Sequence, residues 1–221
     1  MTRFDAARLQ VFCDFDGTIV DPDTLVLLAD RVGGGVADRV AVDRLLHDGQ
    51  MTLREALARN LASLRVGFDE AAALLRGTVQ LDPGFPAFAA WCAERDIPLS
   101  VLSGGLQEII ELFLPAADFP SLDVRANSLA PGTWECRFRD ESAVGHDKRA
   151  AVDAAARAGR RTVYVGDGLS DLEPACAADL VFARRDGTLA AHCGARGIAC
   201  VEYDDFDDVR RALAARVDRA A

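Results

Sequence analysis

The chain has 221 residues, half of them hydrophobic, enough for one large core or a core with a smaller insert. Its formal net charge of -10 argues against nucleic acid and anionic membranes as partners, since both need a basic surface. Residues 1–5 are too polar for a signal peptide and no apolar run reaches the length of a membrane span, so the expectation is a cytoplasmic protein, monomer or homodimer. Cys13, Cys92, Cys136, Cys176, Cys193 and Cys200 form no Cys-x-x-Cys pair, which suits small buried side chains rather than a zinc site or disulfides.

A first strand is predicted to end at 11–13, where Val11-Phe12-Cys13 runs into Asp14-Phe15-Asp16-Gly17-Thr18. Side chains alternate along a strand, so Asp14 and Asp16 point the same way, at the edge where α/β proteins bind ligands. Gly17 allows a sharp turn and brings backbone N–H groups near an anion. Two neighbouring buried carboxylates repel unless a cation or a proton intervenes, so a plain Asp-Gly turn accounts poorly for this pattern.

Beyond Thr18 the pattern turns helical, with segments at 24–30, 36–46, from 52 onward with the capping-box pattern of Thr52 and Glu55, and 68–75. Gly33-Gly34-Gly35 reads as a helix connection, since no strand followed by Gly-x-Gly-x-x-Gly is present. From 85 onward helix and strand alternate: helices at 85–96, 106–114, 148–158 and 171–177, strands at 98–102, 162–165, 180–183 and 198–201, and a closing helix at 207–219. Strands at 122–129 and 133–138 are expected to form an antiparallel excursion at the sheet edge. Asp204, Asp205, Asp207 and Asp208 suit the start of the last helix, where acids favour the macrodipole.

Three further sites fall where this alternation places strand ends or helix starts. Ser103-Gly104-Gly105 ends a strand with a hydroxyl and two glycines, a good place for an oxyanion. Lys148 opens a helix against the macrodipole, which calls for a nearby anion. Gly166-Asp167-Gly168-Leu169-Ser170-Asp171 adds two more carboxylates after a buried strand.

In this order the motifs resemble the haloacid dehalogenase superfamily phosphatases, on Asp14-x-Asp16-Gly17-Thr18, Ser103, Lys148 and Gly166-Asp167-Gly168-x-x-Asp171. The resemblance spans essentially the whole chain and implies an α/β fold: a Rossmann-like parallel-sheet core of residues 1–20 and 84–221, with a small α-helical bundle as a cap at 21–83. The cap is similar to that of the phosphoserine phosphatase branch. Within it, Gly166-Asp167-Gly168-Leu169-Ser170-Asp171-Leu172 and Ala178-Asp179-Leu180-Val181-Phe182-Ala183-Arg184 are most similar to the 2-hydroxy-3-keto-5-methylthiopentenyl-1-phosphate phosphatases of methionine salvage.

The resemblance implies Asp14 as nucleophile forming an aspartyl phosphate and Asp16 as acid and then base. It implies Gly17, Thr18, Ser103, Gly104 and Lys148 as phosphate ligands. Magnesium would be held by Asp14, the main-chain oxygen of Asp16, Asp167 and, directly or through water, Asp171. An all-oxygen donor set without histidine or cysteine favours magnesium over zinc. Asp16 also favours phosphoryl transfer over dehalogenation, which has no alkoxide to protonate. The expected substrate is a small phosphorylated metabolite, the methionine-salvage enol phosphate first and phosphoserine second; a catalytically silent binding protein is the alternative of another class.

Other residues read as structural. His146 is the histidine nearest the proposed site, and a solvated loop position explains it at least as well; His47 and His192 are assigned to the surface, Trp91 to the core with Phe88, and Arg184 to the core as a mark of kinship. Asp23 reads as a helix cap while Asp21 stays open between hinge and cap; Arg31, Arg39 and Arg44 read as a solvated helix face.

Overall fold

The computed structural model describes residues 4–217. Its centre is β1 (Leu9–Cys13), in which Leu9, Val11, Phe12 and Cys13 are fully buried. Such a strand needs neighbours on both edges and cover on both faces. The next elements are β2 (Val20–Asp21), four helices, α1 (Thr24–Val32), α2 (Val36–His47), α3 (Leu53–Ala62) and α4 (Phe68–Thr78), and then β3 (Gln80–Leu81). The alternating part follows with α5 (Phe85–Ala93), β4 (Leu99–Leu106), α6 (Gln107–Phe113), β5 (Leu122–Leu129), β6 (Cys136–Arg137), α7 (Lys148–Arg157) and β7 (Arg161–Gly166). Last come α8 (Leu172–Ala177), β8 (Leu180–Arg184), α9 (Leu189–Ala195), β9 (Cys200–Tyr203) and α10 (Phe206–Ala214).

Seven strands form one sheet in the order β6-β5-β4-β1-β7-β8-β9, all parallel except β6. The chain leaves β1 toward β4 on one side and later returns to β7 on the other. The carboxyl ends of β1, β4 and β7 therefore meet at a topological switch point, where such sheets bind ligands. No helix among the described residues is long and apolar enough to cross a membrane.

The four helices between β2 and β3 pack on one another, and the segment that holds them leaves and re-enters through a two-stranded antiparallel ribbon, Val20 opposite Leu81 and Asp21 opposite Gln80. Local chemistry starts these helices as anticipated. The Asp23 side chain caps α1 by accepting from the N–H groups of Leu25 and Val26, and Thr52 and Glu55 form a reciprocal capping box at α3.

Several elements differ from the sequence reading. β4 does not stop at Leu102 but continues through Ser103-Gly104-Gly105 to Leu106, with its pairing to β5 slipping between Leu102 and Leu106. Small residues permit this bulge, which the sequence presents as a turn. The expected excursion is half right: β5 runs parallel to β4, and only Cys136–Arg137 returns antiparallel. The ribbon and α9 were not anticipated, because strands of two residues and a helix of seven lie below the length at which periodicity is readable. The closing helix spans Phe206–Ala214, and residues 218–219 of the prediction lie outside the described residues.

Candidate active site

Asp14 follows β1, and its N–H donates to the carbonyl of Val165 on β7, which fixes it at the sheet edge. Lys148, the first residue of α7, places Nζ 2.8 Å from Asp14 Oδ1 and 2.8 Å from Asp171 Oδ1, with all three side chains buried. Burial works against a charged lysine, but the two carboxylates outweigh it and hold the ammonium above its ordinary pKa. Asp14 is pushed well up by burial and by the nearby Asp171, with Lys148 opposing.

Asp171 is the best satisfied of the acids. Oδ1 accepts from Lys148 Nζ and from the buried Tyr164 hydroxyl at 2.7 Å, while Oδ2 accepts from the N–H groups of Asp167 at 3.0 Å and Gly168 at 3.2 Å. Burial alone would raise its pKa, yet these donors, Lys148 first, hold it below the usual carboxylate range. With four donors already in place, Asp171 positions Lys148 and the Asp167 loop rather than offering a free oxygen.

Asp167 turns toward Asp14, and burial followed by Asp171 pushes it up to about 6. Its carboxylate occupies space that only a glycine at position 17 leaves open: a β-carbon on Gly17 would lie 2.5 Å from Asp167 Oδ2, and Gly17 holds φ at +73°. Its main chain is held by two N–H groups at the start of α9, Thr188 and Leu189, at 2.7 and 2.8 Å.

Asp16 lies apart from Lys148's direct contacts. Its Oδ1 accepts from the Thr24 N–H at 2.8 Å and the Thr24 hydroxyl at 2.6 Å, at the first residue of α1. Burial and the neighbouring Asp23 push it up to about 7 despite these bonds, so this carboxyl can hold a proton near neutrality.

Ser103 is buried on the β4 bulge, and its Oγ accepts from the Gly105 N–H at 2.9 Å, which leaves its own proton free to donate. With Gly104 and Lys148 it lines a cavity of about 650 Å³ together with Asp14, Asp16 and Asp167. The facing wall comes from α1–α3: Leu25, Val26, Leu46, Leu53 and Leu57, with Asp23, Arg39, Asp43 and Asn60 among them.

Two phosphate-ligand expectations need correction. The Gly17 N–H donates to Val20 O at 3.0 Å and the Thr18 N–H to Phe15 O at 3.2 Å, so both amides are consumed inside their own turn. Thr18 is fully buried, and its hydroxyl lies 3.3 Å from Asp167 Oδ1 as a donor to it. These two residues shape the acidic site from behind.

Others were undervalued. His146 is 5% exposed, with Nδ1 2.9 Å from the main-chain oxygen of Ser103, and is no solvated loop residue. Arg39 lines the cavity but is held by Asp30 and Asp43, each at 2.7 Å. Arg184 reaches the carbonyls of Gly17 and Thr18 at 3.4 and 3.2 Å and clamps the first motif. Thr24 and Tyr164 carry no sequence signal for these roles, because their partners are set by the fold. Trp91 is buried and stacks on Phe88, as anticipated.

One oxygen from each of Asp14, Asp167 and Asp171 lies within 4.8 Å of the others, with a single lysine to offset them. The raised pKa values of Asp14 and Asp167 mark an uncompensated negative site, and the donors are all oxygens. A hard divalent cation fits the oxygens of Asp14 and Asp167, with the occupied Asp171 carboxylate behind them.

The chain matches the haloacid dehalogenase-like hydrolases over residues 11–175. It belongs to that family and is an enzyme of the hydrolase class. Among its relatives it is 33% identical to Pdp3-interacting factor 1 of Schizosaccharomyces pombe, covering 93% of this chain and 95% of that one. It is 32% identical to the polyol phosphate phosphatase PYP1 of Saccharomyces cerevisiae, with 90% of each covered. The 2-hydroxy-3-keto-5-methylthiopentenyl-1-phosphate phosphatase of Geobacillus kaustophilus is 29% identical, with 93% and 96% covered. In fold, a substrate-bound phosphoserine phosphatase superposes with a TM-score of 0.71 at 19% identity, over 93% of this chain and 98% of that one.

Proposed function

We propose that the protein is a magnesium-dependent phosphomonoesterase for a small metabolite whose body carries no second charge. The observation that carries this is the floor of the cavity, where Asp14 meets Lys148 with Asp16 and the free hydroxyl proton of Ser103 lining the same space, beneath a largely leucine-lined wall.

In this reading an Asp14 oxygen attacks phosphorus while the ester P–O bond breaks. Asp16 gives its proton to the departing alkoxide, and the aspartyl phosphate remains. Asp16 then takes a proton from water, the acyl phosphate is hydrolysed, and inorganic phosphate leaves with Asp14 restored. Lys148 and Ser103 hold the phosphoryl oxygens throughout, and Asp171 with Tyr164 holds Lys148 in place. Magnesium would be held by Asp14, Asp167 and the main-chain oxygen of Asp16, where it supplies positive charge against the phosphate dianion.

The cations that line the cavity bear on the substrate. Arg39 is occupied by Asp30 and Asp43, and Arg149 by Glu173, so neither is free to meet a substrate carboxylate. That disfavours phosphoserine. The leucine wall supports the methylthio chain of the methionine-salvage enol phosphate as the leading substrate. Asp23, Asp43 and Asn60 on the same wall support a second reading, a polyol phosphate, with hydroxyls for those groups to bind. A cavity walled on one side by α1–α3, read as a cap, suits small molecules and not nucleic acid.

Hydrolysis of p-nitrophenyl phosphate with magnesium and with EDTA tests the reaction. Turnover is expected with magnesium alone and lost in Asp14→Asn; turnover equal to that variant's would leave a silent binding protein. Asp16→Asn is expected to slow alkyl phosphates far more than the aryl ester, and a phosphometabolite panel ranks the substrates.

A further inference from the structure

His146 is a buried titratable side chain beside the site that the proposed reaction does not use. It lines the cavity with Ser103, Gly104 and Lys148. The residues around it pin its loop. Gly145 takes φ +75° with its α-carbon packed so close to the Phe138 ring that no β-carbon fits there. Asp147 caps α7, and its N–H donates to Asp140 Oδ2 at 2.7 Å. The ring is thereby held with Nδ1 2.9 Å from the Ser103 carbonyl oxygen.

A carbonyl oxygen only accepts, so Nδ1 carries a proton. In the neutral ring Nε2 is then an acceptor, and it makes no hydrogen bond to the protein among the described residues. Burial pushes the ring's pKa down, helped by Lys148 and Arg139 against the Ser103 carbonyl and Asp140, which favours the neutral form. A lone pair at this place repels a phosphoryl oxygen and attracts an O–H.

The geometry points to His146 as a specificity-determining residue whose Nε2 accepts a hydrogen bond from a substrate hydroxyl close to the phosphoryl group that Ser103 and Lys148 hold. The substrate class is then the hydroxylated phosphate monoesters. This rests on the phosphatase reading. It also joins that reading's two leading substrates, since a 2-hydroxy 1-phosphate and a polyol phosphate both carry such a hydroxyl.

The test compares glycerol 1-phosphate with n-propyl phosphate, using p-nitrophenyl phosphate as the reference ester and magnesium throughout. Wild type is expected to favour glycerol 1-phosphate in kcat/KM by about tenfold, the scale of one specific hydrogen bond. His146→Phe should bring the ratio close to one, and His146→Gln, with its side-chain carbonyl, should recover part of it. No preference in wild type, an unchanged ratio in His146→Phe, or equal losses on both alkyl esters would each overturn the proposal. Imidazole nitrogen NMR of the wild-type protein provides a second measure, with the Nδ1–H tautomer expected at His146 and an Nε2–H tautomer overturning it. Absence of p-nitrophenyl phosphate turnover in wild type would instead defeat the phosphatase reading itself.

Discussion

Four carboxylates share one lysine at this site, and the lysine is divided between Asp14 and Asp171 at equal distance. Asp171 takes further donors while Asp14, Asp16 and Asp167 are left with raised pKa values. Without metal, the folded protein holds more protons on these three groups than the unfolded chain does, and for Asp16 that window runs from about pH 4 up to about 7. Stability contributed by a raised acid is present below its unfolded pKa and lost as pH rises through its folded one. For Asp16, moved from 3.8 to about 7, the loss is on the order of 4 kcal/mol. His146, held below its ordinary value, opposes this as a single group. The thermal midpoint in EDTA is therefore expected to be lower at about pH 7.5 than at about pH 5, and magnesium should raise it more at the higher pH. A flat profile between those values would show that the carboxylates are not protonated by burial.

At the scale of elements, α3 is tied to the loop that carries the third motif. The Arg54 N–H donates to Ala143 O at 3.0 Å, its guanidinium donates to Asp140 O at 2.6 Å, and it lies 4.1 Å from the centre of the Phe138 ring. Trp134, whose indole N–H donates to Val66 O at 2.7 Å, makes a second tie before α4. These contacts hold the leucine wall over the cavity and lead directly to His146 and Lys148. Arg54→Ala removes the guanidinium bond and the cation–π contact, together about 1–2 kcal/mol at a partly exposed position. KM for an alkyl phosphate is expected to rise about fivefold or more, with faster amide exchange in α3; unchanged KM and protection would remove the tie from the account. Arg54 gave no sign of this in the sequence, where an arginine on a helix is ordinarily solvated. The capping box two residues before it was readable, because both its partners lie within one turn.

At the scale of the molecule, an aromatic cluster locks α10 to α5 beside the sheet. Phe206 packs edge-on to Phe85 with centroids 5.0 Å apart and lies 5.3 Å from Phe88, and none of the three lines the catalytic cavity. Phe206→Ala is expected to cost about 3–5 kcal/mol in denaturant unfolding. Turnover per folded molecule should stay near wild type at low temperature, and a loss under 1 kcal/mol would mean the cluster is not part of the core, by roughly the threshold of a tolerated core change. The α/β alternation, the inserted helices and the four motifs were all legible along the chain, since each is a pattern of neighbours: apolar runs, capping residues, a hydroxyl before two glycines, carboxylates two or four apart. What only the tertiary structure decided is which groups those motifs meet. The Gly17 and Thr18 amides turn inward, Asp171 gathers donors from β7, α7 and its own loop, and His146 is buried against Ser103, 43 residues away in the chain. Residue type and spacing set the local chemistry of the sequence; burial and charge pairing are sums over distant segments, and they exist only once the sheet has brought those segments together.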